Sequence, residues 1–161
     1  MVMVRRRLSP LPLAAVAVFL LSAVPALAED ARVVNGCTLQ PEAACPAADL
    51  ASADLAGLDL SRADLSGANL RGANLTGTKL VEARLAGSNL TGANLRDADL
   101  SRADLAGANL TQATLIKAVL KEANLRGARL TRMNPSKAVL GGAIWFDGRK
   151  CRDDSIGECR K

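Results

Sequence analysis

The hydrophobic pattern of the chain has a period of five residues. Leucine occupies every fifth position from Leu50 to Leu130 without a gap, which makes 17 consecutive positions. Alanine stands two residues before the leucine in 14 of these 17 units, and Asp or Asn stands one residue before it in 12 of them. Pro135 interrupts the series, Leu140 resumes it, and Trp145 takes its last position. The repeated unit is therefore Ala-(Asp/Asn)-Leu-x-x, and it extends over residues 46–145.

A period of five fits neither an α-helix, with about 3.6 residues per turn, nor a flat β-strand, in which alternate residues share a face. Small residues separated by Asp, Asn, Ser and Gly instead indicate a short extended segment followed by a turn. Stacked turns of this kind predict a β-solenoid. Its core would be a ladder of Leu50, Leu55, Leu60, Leu65, Leu70, Leu75, Leu80, Leu85, Leu90, Leu95, Leu100, Leu105, Leu110, Leu115, Leu120, Leu125 and Leu130.

The outward charges indicate how many units form one coil. Residues one coil apart stack at about 4.8 Å, so like charges at that spacing would repel. A spacing of 20 residues gives a column of alternating sign, composed of Arg62, Glu82, Arg102 and Glu122. A spacing of 15 residues would instead align Arg62 with Gly77 and Gly92. The charges therefore favour four units per coil, and residues 46–145 would make about five coils.

The repeated unit resembles that of the pentapeptide-repeat family over about 100 residues. The resemblance implies an all-β fold, a right-handed quadrilateral β-helix in which the leucine and the alanine two residues before it point inward. The closing segment from Trp145 to Gly148, followed by Cys151 and Cys159, is similar to the end of exported members of the family.

The four cysteines flank the repeat. Cys37 and Cys45 precede it, Cys151 and Cys159 follow it, and four cysteines allow three connectivities. A rod of five coils would separate the two pairs by roughly 24 Å, whereas bonded cysteines have Cα atoms within about 7 Å. We therefore expect the disulfides Cys37–Cys45 and Cys151–Cys159. A redox pair and a metal site of four thiolates are the alternatives, and neither pair has the CxxC spacing.

The two aromatic residues outside the N-terminal segment, Trp145 and Phe146, lie at the end of the repeat. A solenoid exposes unpaired backbone and open core at its ends, which must be capped. Trp145 is expected to close the leucine core there. The alternative is an exposed aromatic docking site formed by Trp145 and Phe146.

The N-terminal segment has the order of a secretory signal peptide. Arg5, Arg6 and Arg7 precede an apolar stretch that ends in Ala26-Leu27-Ala28. We expect residues 1–28 to be the signal peptide, 29–45 an N-terminal cap segment, 46–145 the β-helix and 146–161 a C-terminal disulfide-loop cap. The protein would then be exported, to the periplasm or beyond a bacterial cell. An uncleaved N-terminal anchor is the alternative.

Composition excludes several chemistries. The chain has no histidine, which removes Ser–His and Cys–His nucleophile pairs and zinc sites that need imidazole. No phosphate-binding loop, dinucleotide fingerprint or Gly-rich calcium repeat occurs. The frequent Asp and Asn residues are interpreted as turn and solvent groups. We expect no catalytic, metal-binding or cofactor-binding residue.

Charge is unevenly distributed along the repeat. The formal charge of +5 includes the three N-terminal arginines, and the first coil, 46–65, has four Asp against one Arg. Residues 116–137 have six Lys or Arg against one Glu. A further column, composed of Gly67, Gly87, Gly107 and Gly127, predicts a flat side. The flat side could be a contact face, including for self-association, and the charged ends could direct end-to-end stacking or bind an anionic surface. The alternatives are that small residues merely suit the turn and that the charges form a solvated gradient.

Two functions agree with these observations to different degrees. The first is an exported, non-enzymatic structural or protein-interaction module that binds an unknown protein or envelope component. The second comes from the resemblance, because some cytoplasmic members mimic DNA and bind gyrase, protecting it from quinolones. That role needs a strongly acidic surface, whereas residues 46–145 contain 12 Lys or Arg against nine Asp or Glu. Direct nucleic-acid binding is disfavoured by the expected export and by the lack of exposed aromatic residues.

Overall fold

The computed structural model describes residues 32–161, which begin with a β-hairpin. Strand β1, Arg32–Val34, pairs antiparallel with β2, Cys37–Leu39. Asn35 and Gly36 join them with φ angles of 47° and 81°, as a two-residue type I′ turn requires. The proposed signal peptide, residues 1–28, lies outside the described residues.

Beyond the hairpin, the backbone pairs through single-residue parallel bridges between residues 20 apart. Seventeen such bridges run from Ala44 with Asp64 to Asn124 with Ile144. At one of them, the Asn89 N–H donates to the Ala68 carbonyl at 2.9 Å and the Asn89 carbonyl accepts the Leu70 N–H at 2.8 Å. The chain is thus a repeat β-solenoid, in which stacked residues are separated by four five-residue units.

Each unit contributes a single bridge because two of its five residues form a turn. The Ala63 N–H, for example, donates to the Leu60 carbonyl at 3.1 Å, and Arg62 between them has a φ of 60°. A bond from residue i+3 to residue i with positive φ at i+2 is the pattern of a type II turn. Glycine holds this position in many units, as at Gly67 with a φ of 66°. Strands therefore never grow beyond the short segment between turns.

The core consists of stacked leucines and of the alanines two residues before them. Every leucine of the series from Leu50 to Leu125 is at most 1% exposed. Leu130, expected in the same ladder, differs, because it is only half-buried. The closing segment of the chain pairs with Val139 and Ile144 rather than with the backbone around Leu130. No further layer is therefore bridged onto Leu130 within the described residues.

The closing segment runs back over the last coil in the opposite direction. Ile156 pairs antiparallel with Val139, and Lys150 with Ile144. The Leu140 N–H donates to the Ser155 carbonyl at 2.9 Å within this pairing. An antiparallel segment thus ends the parallel stack on two of its four ladders.

Candidate interaction surfaces and end caps

Opposite charges stack along the outside of the solenoid. Arg62 lies 2.6 Å from the Glu42 carboxylate, and Arg102 lies 3.2 Å from that of Glu82. In a neighbouring ladder the Arg84 guanidinium is 3.7 Å from Asp64. Arg102 and Glu82 belong to the alternating column described from the sequence, and the other two pairs have the same 20-residue spacing. Both side chains of most pairs are largely exposed, so each pair contributes little to stability. The pairs chiefly disfavour a shifted alignment of one coil on the next.

The Asp and Asn side chains that precede the leucines serve the turns. Asp59 Oδ1 accepts the Ser61 N–H at 3.0 Å, and Asp64 Oδ1 accepts the Ser66 N–H at 3.0 Å. The side-chain hydrogen bond from Ser61 and then its backbone N–H lower the pKa of Asp59, and the same two groups of Ser66 lower that of Asp64. These carboxylates are therefore ionised structural groups that stabilise the start of each turn.

We expect these two carboxylates to make the fold sensitive to acid. Because the folded-state pKa values lie below the unfolded value of about 3.9, their contribution to stability is complete above that pH and is lost as the pH falls through the folded values. In urea unfolding from pH 7 downward, the Asp59→Asn/Asp64→Asn variant should lose less stability than the wild type. Equal losses in both proteins would contradict this assignment.

Two buried hydroxyls replace alanines of the core. Thr78 is fully buried, and its Oγ1 donates to the Leu55 carbonyl at 2.8 Å. Ser88 is 1% exposed, and its Oγ has no hydrogen-bond partner among residues 32–161. A buried hydroxyl without a partner costs roughly 1–3 kcal/mol. Ser88 is therefore an unfavourable core residue, whereas Thr78 is satisfied.

Replacing Ser88 by Ala should raise the free energy of unfolding by about 1 kcal/mol, because it removes the unpartnered hydroxyl and restores the residue that the repeat prefers. The matched variant Thr78→Val should instead lower it by about 1 kcal/mol, because it removes a buried hydrogen bond. Urea unfolding followed by circular dichroism measures both changes. A Ser88→Ala protein less stable than the wild type would show that Ser88 forms a bond in solution.

One turn column is made of small residues. Gly67, Gly87 and Gly107 stack there, and a Cβ added to any of them would meet no atom within 4 Å. Ala86 and Ala106 precede two of them in the turns. The column is therefore flat and open to solvent.

The hairpin covers the N-terminal end of the stack. The first coil exposes carbonyl groups that no preceding coil can bind. Asn35 Nδ2 donates to the Asp49 carbonyl at 2.7 Å, and the Arg32 guanidinium donates to that of Asp54. Cys37 and Cys45, with Cα atoms 5.6 Å apart, are joined by a disulfide that fastens the hairpin to the first coil.

The C-terminal end is closed by a second disulfide and by an aromatic residue. Cys151 and Cys159, with Cα atoms 4.9 Å apart, are bonded. Trp145 is half-buried against the core, and its ring centroid lies 6.2 Å from that of Phe146. Phe146 itself is 44% exposed. Trp145 thus packs on the end of the leucine core, while Phe146 faces solvent.

Residues missed by sequence reasoning lie mainly in these caps. Arg32 and Asn35 satisfy carbonyls of the first coil, but neither belongs to a repeat or to a recognisable motif. The Asn35-Gly36 pair was the one available signal, because it is typical of a type I′ hairpin. Ser155, fully buried, accepts the Arg160 N–H through its Oγ at 3.2 Å and likewise lacks a repeat signal.

The described residues offer neither a candidate metal cluster nor a membrane-spanning helix. Residues 32–161 contain no cluster of three or more Cys, His, Asp or Glu side chains able to hold a metal ion. The same residues contain no helix long and apolar enough to cross a membrane. The cleft lined by Lys150, Cys151, Arg152, Asp153 and Asp154 lies on the closing segment. Its Asp154 is engaged by Arg152 at 3.5 Å.

Comparison with solved structures identifies relatives with the same kind of repeat. HetL, a pentapeptide repeat protein involved in heterocyst differentiation regulation in the cyanobacterium Nostoc sp. strain PCC 7120, is 33% identical, with a TM-score of 0.61. The match covers 68% of this chain and 60% of HetL. A pentapeptide repeat protein from the thylakoid lumen of Arabidopsis thaliana is 28% identical over 65% of this chain and 82% of its own, with a TM-score of 0.48.

QnrB1, a plasmid-mediated fluoroquinolone resistance protein, is 22% identical over 65% of this chain and 67% of its own, with a TM-score of 0.34. That likeness is too low to carry a functional argument. No protein with a curated description matches the chain. Sequence models of the pentapeptide repeats match eight copies between residues 47 and 132, more than half of the chain. With its repeat, its 20-residue pairing and these relatives, the chain belongs to the pentapeptide repeat family.

Proposed function

We propose that the chain is an exported, non-enzymatic structural or protein-interaction module. The observation that carries this proposal is the uniform use of its polar groups. The Asp and Asn side chains bind turn N–H groups or the side chains of adjacent coils, and the leucines form a continuous core. Within residues 32–161 these polar groups thus serve the fold, which supports a structural or interaction role.

We propose further that residues 46–145 form a right-handed, four-sided β-helix of about five coils. Four turns separate residues paired by the backbone, which supports four sides. The handedness follows from membership of the family. The remaining segments would be the caps, 29–45 and 146–161, that protect the two ends of the rod from edge-to-edge association.

Export is supported by two independent features. The N-terminal 28 residues have the order of a signal peptide. The disulfides Cys37–Cys45 and Cys151–Cys159 leave no free cysteine among the described residues. Disulfides persist in oxidising compartments such as the bacterial periplasm, so both features support export from the cytosol.

Fractionation of a bacterial host expressing the full chain tests the compartment. We expect the protein in the periplasm or medium. Its intact mass should correspond to a chain without residues 1–28 in which two disulfides have formed. Tryptic mapping without reductant should link Cys37 to Cys45 and Cys151 to Cys159. Cytosolic protein with free thiols, or a peptide linking Cys37 to Cys159, would overturn the proposal.

A substitution in the flat column formed by Gly67, Gly87 and Gly107 tests the interaction role. Ala106→Trp places a large side chain on the surface beside Gly107 without entering the core. If the column contacts a partner, envelope cross-linking should capture that partner with the wild type and lose it with the variant. Thr111→Trp, at the equivalent turn position of a different column, is the matched control. Equal capture by all three proteins would exclude the column as the contact.

The alternative function is DNA mimicry directed at gyrase, as the resemblance suggests. The net basic repeat and the disulfide-closed end oppose it, because mimicry of DNA requires an acidic surface. A supercoiling assay decides between the two. We expect no inhibition of gyrase and no protection against a quinolone by the purified protein, and protection at stoichiometric protein would favour the alternative.

A further inference from the structure

One outward ladder changes character towards the end of the solenoid. Its bridged residues begin with Asp59, Lys79 and Asp99 and then become Val119 and Val139. Ile156 of the closing segment continues the series by pairing with Val139. We call Val119, Val139 and Ile156 the apolar ladder.

The apolar ladder is partly exposed to solvent. Val119 and Val139 are half-buried, and Ile156 is 57% exposed. The inward-facing neighbours of Val119, Ala118 and Leu120, already fill the core, so the side chain of Val119 does not contribute to it. The side chain of Asp or Asn at these positions would accept a hydrogen bond from a turn N–H, as Asp59 does at the start of the same ladder. Apolar side chains here forgo that bond.

Three lysines border the ladder. Lys117 and Lys137 lie two residues before Val119 and Val139, and Lys121 lies two residues after Val119. All three lysines are exposed, and none has an ion pair among the residues that the structure describes. We call Lys117, Lys121 and Lys137 the lysine rim.

Carboxylates offset part of the lysine charge, since Asp97 lies one coil below Lys117 in the same turn column and Asp99 lies one coil below Val119. Glu122 follows Lys121 in the same turn, and Glu158 lies two residues after Ile156. Asp154, two residues before Ile156, lies 3.5 Å from Arg152 and 3.7 Å from Arg160 and is therefore neutralised by its own neighbours. In the coils that carry Val119, Val139 and Ile156, the three lysines outnumber Glu122 and Glu158, so this part of the surface keeps a small positive charge.

The backbone of Val119 and Val139 cannot bind a further strand. The Val119 N–H donates to the Ala98 carbonyl at 2.9 Å, and the Val119 carbonyl accepts the Leu100 N–H at 2.7 Å. Val139 is paired in the same way with Ala118 and Leu120. An extended peptide needs free edge groups to add to a sheet. At Val119 and Val139 only the side chains, apolar on a flat face and cationic at its border, are therefore available to a partner.

From this arrangement we propose that the apolar ladder and the lysine rim bind the surface of an anionic phospholipid bilayer. A flat face of aliphatic side chains enters the boundary between headgroups and acyl chains, while lysines around it contact anionic headgroups. Flexible lysine stems let the ammonium groups reach the headgroups while the valines are buried. The rod would then attach peripherally at this part of its flank and leave the flat glycine column free.

Vesicle co-sedimentation tests the proposal. The wild type is mixed with vesicles of equimolar phosphatidylglycerol and phosphatidylcholine, or of phosphatidylcholine alone. All proteins are purified in the same processed form, with identical N-termini verified by intact mass. We expect binding to the anionic vesicles, weakened by salt, and little binding to neutral ones.

Two variants remove the two parts of the surface. Lys117→Gln/Lys121→Gln/Lys137→Gln should weaken binding by about 100-fold, at roughly fivefold per lysine. Val119→Asn/Val139→Asn restores the residue type that the repeat favours, so the fold should be retained, and it should weaken binding by about tenfold. Urea unfolding verifies that each variant is folded before its binding is compared.

The control removes the same charge from the other side of the molecule. Arg71, Arg129 and Arg132 lie on or beside the ladder two turns away, and the Arg71→Gln/Arg129→Gln/Arg132→Gln variant should bind nearly as well as the wild type. Equal losses in both triple variants would show a diffuse charge effect and overturn the proposal. Unchanged binding of Val119→Asn/Val139→Asn, or a wild-type dimer in sedimentation without lipid that this variant abolishes, would also overturn it.

Discussion

Leu90→Ala is expected to lower the free energy of unfolding by about 3 kcal/mol, within the usual range of roughly 2–5 kcal/mol for a buried leucine. Leu90 is fully buried near the middle of the stack. Layers on both sides hold the surrounding backbone, so a cavity there cannot collapse readily. In a solenoid each coil is stabilised by its neighbours, and a defect in the middle weakens two interfaces. Urea unfolding of the wild type and the variant measures the loss.

Leu130→Ala is the matched control for this prediction. The substitution is chemically identical, but Leu130 is half-buried at the end of its ladder. This variant should lose about 1 kcal/mol in the free energy of unfolding, because the half-buried Leu130 buries less apolar area on folding and the end of the solenoid can relax. If Leu130→Ala costs as much as Leu90→Ala, the end of the solenoid is covered more completely than the backbone pairing indicates.

Removal of the C-terminal disulfide is expected to have the second large effect. Cys151→Ser/Cys159→Ser should destabilise the protein by about 2.5 kcal/mol, the value that chain entropy gives for so short a loop. Loosening of the closing segment would also expose Trp145 and the backbone edge of residues 138–144, to which it is bonded. We therefore expect concentration-dependent association in addition to lower stability.

Size-exclusion chromatography at increasing concentration, together with urea unfolding, measures both effects. Cys37→Ser/Cys45→Ser is the matched control, because its bond has the same sequence separation of eight residues. Side chains of Arg32 and Asn35 also hold the N-terminal hairpin, so that variant should associate less. A C-terminal variant that stays monomeric with unchanged stability would show that the antiparallel pairing alone closes this end.

The repeat could be predicted from the sequence because one constraint acts on every unit. A leucine at every fifth position gives the core, and the sign of the charges at Arg62 and Glu82 gives the 20-residue pairing without knowledge of any coordinate. The charges of this column alternate in sign at a spacing of 20 residues and lose that order at a spacing of 15, so the correct spacing is visible in the sequence. Periodic information of this kind accumulates over many units.

The ends could not be predicted in the same detail, because each is built only once. The contact of Asn35 with the Asp49 carbonyl and the antiparallel return of Ile156 onto Val139 depend on a single local geometry. Periodicity also placed Leu130 in the core although nothing is bridged above it. The turn conformation of Arg62, with its positive φ, was hidden as well, because the stacked backbone imposes it on a residue that does not favour it.

The 20-residue pairing has a consequence for insertions and deletions in this chain. A deletion of one five-residue unit would leave every leucine in the core, yet all later outward residues would move to the next ladder. Arg84 would no longer lie above Asp64, and the valines would no longer lie above Asp99. Only the insertion or deletion of a whole 20-residue coil preserves both the core and the alignment of the surface. The length of the rod and the arrangement of its binding faces are therefore inherited together, in steps of four units.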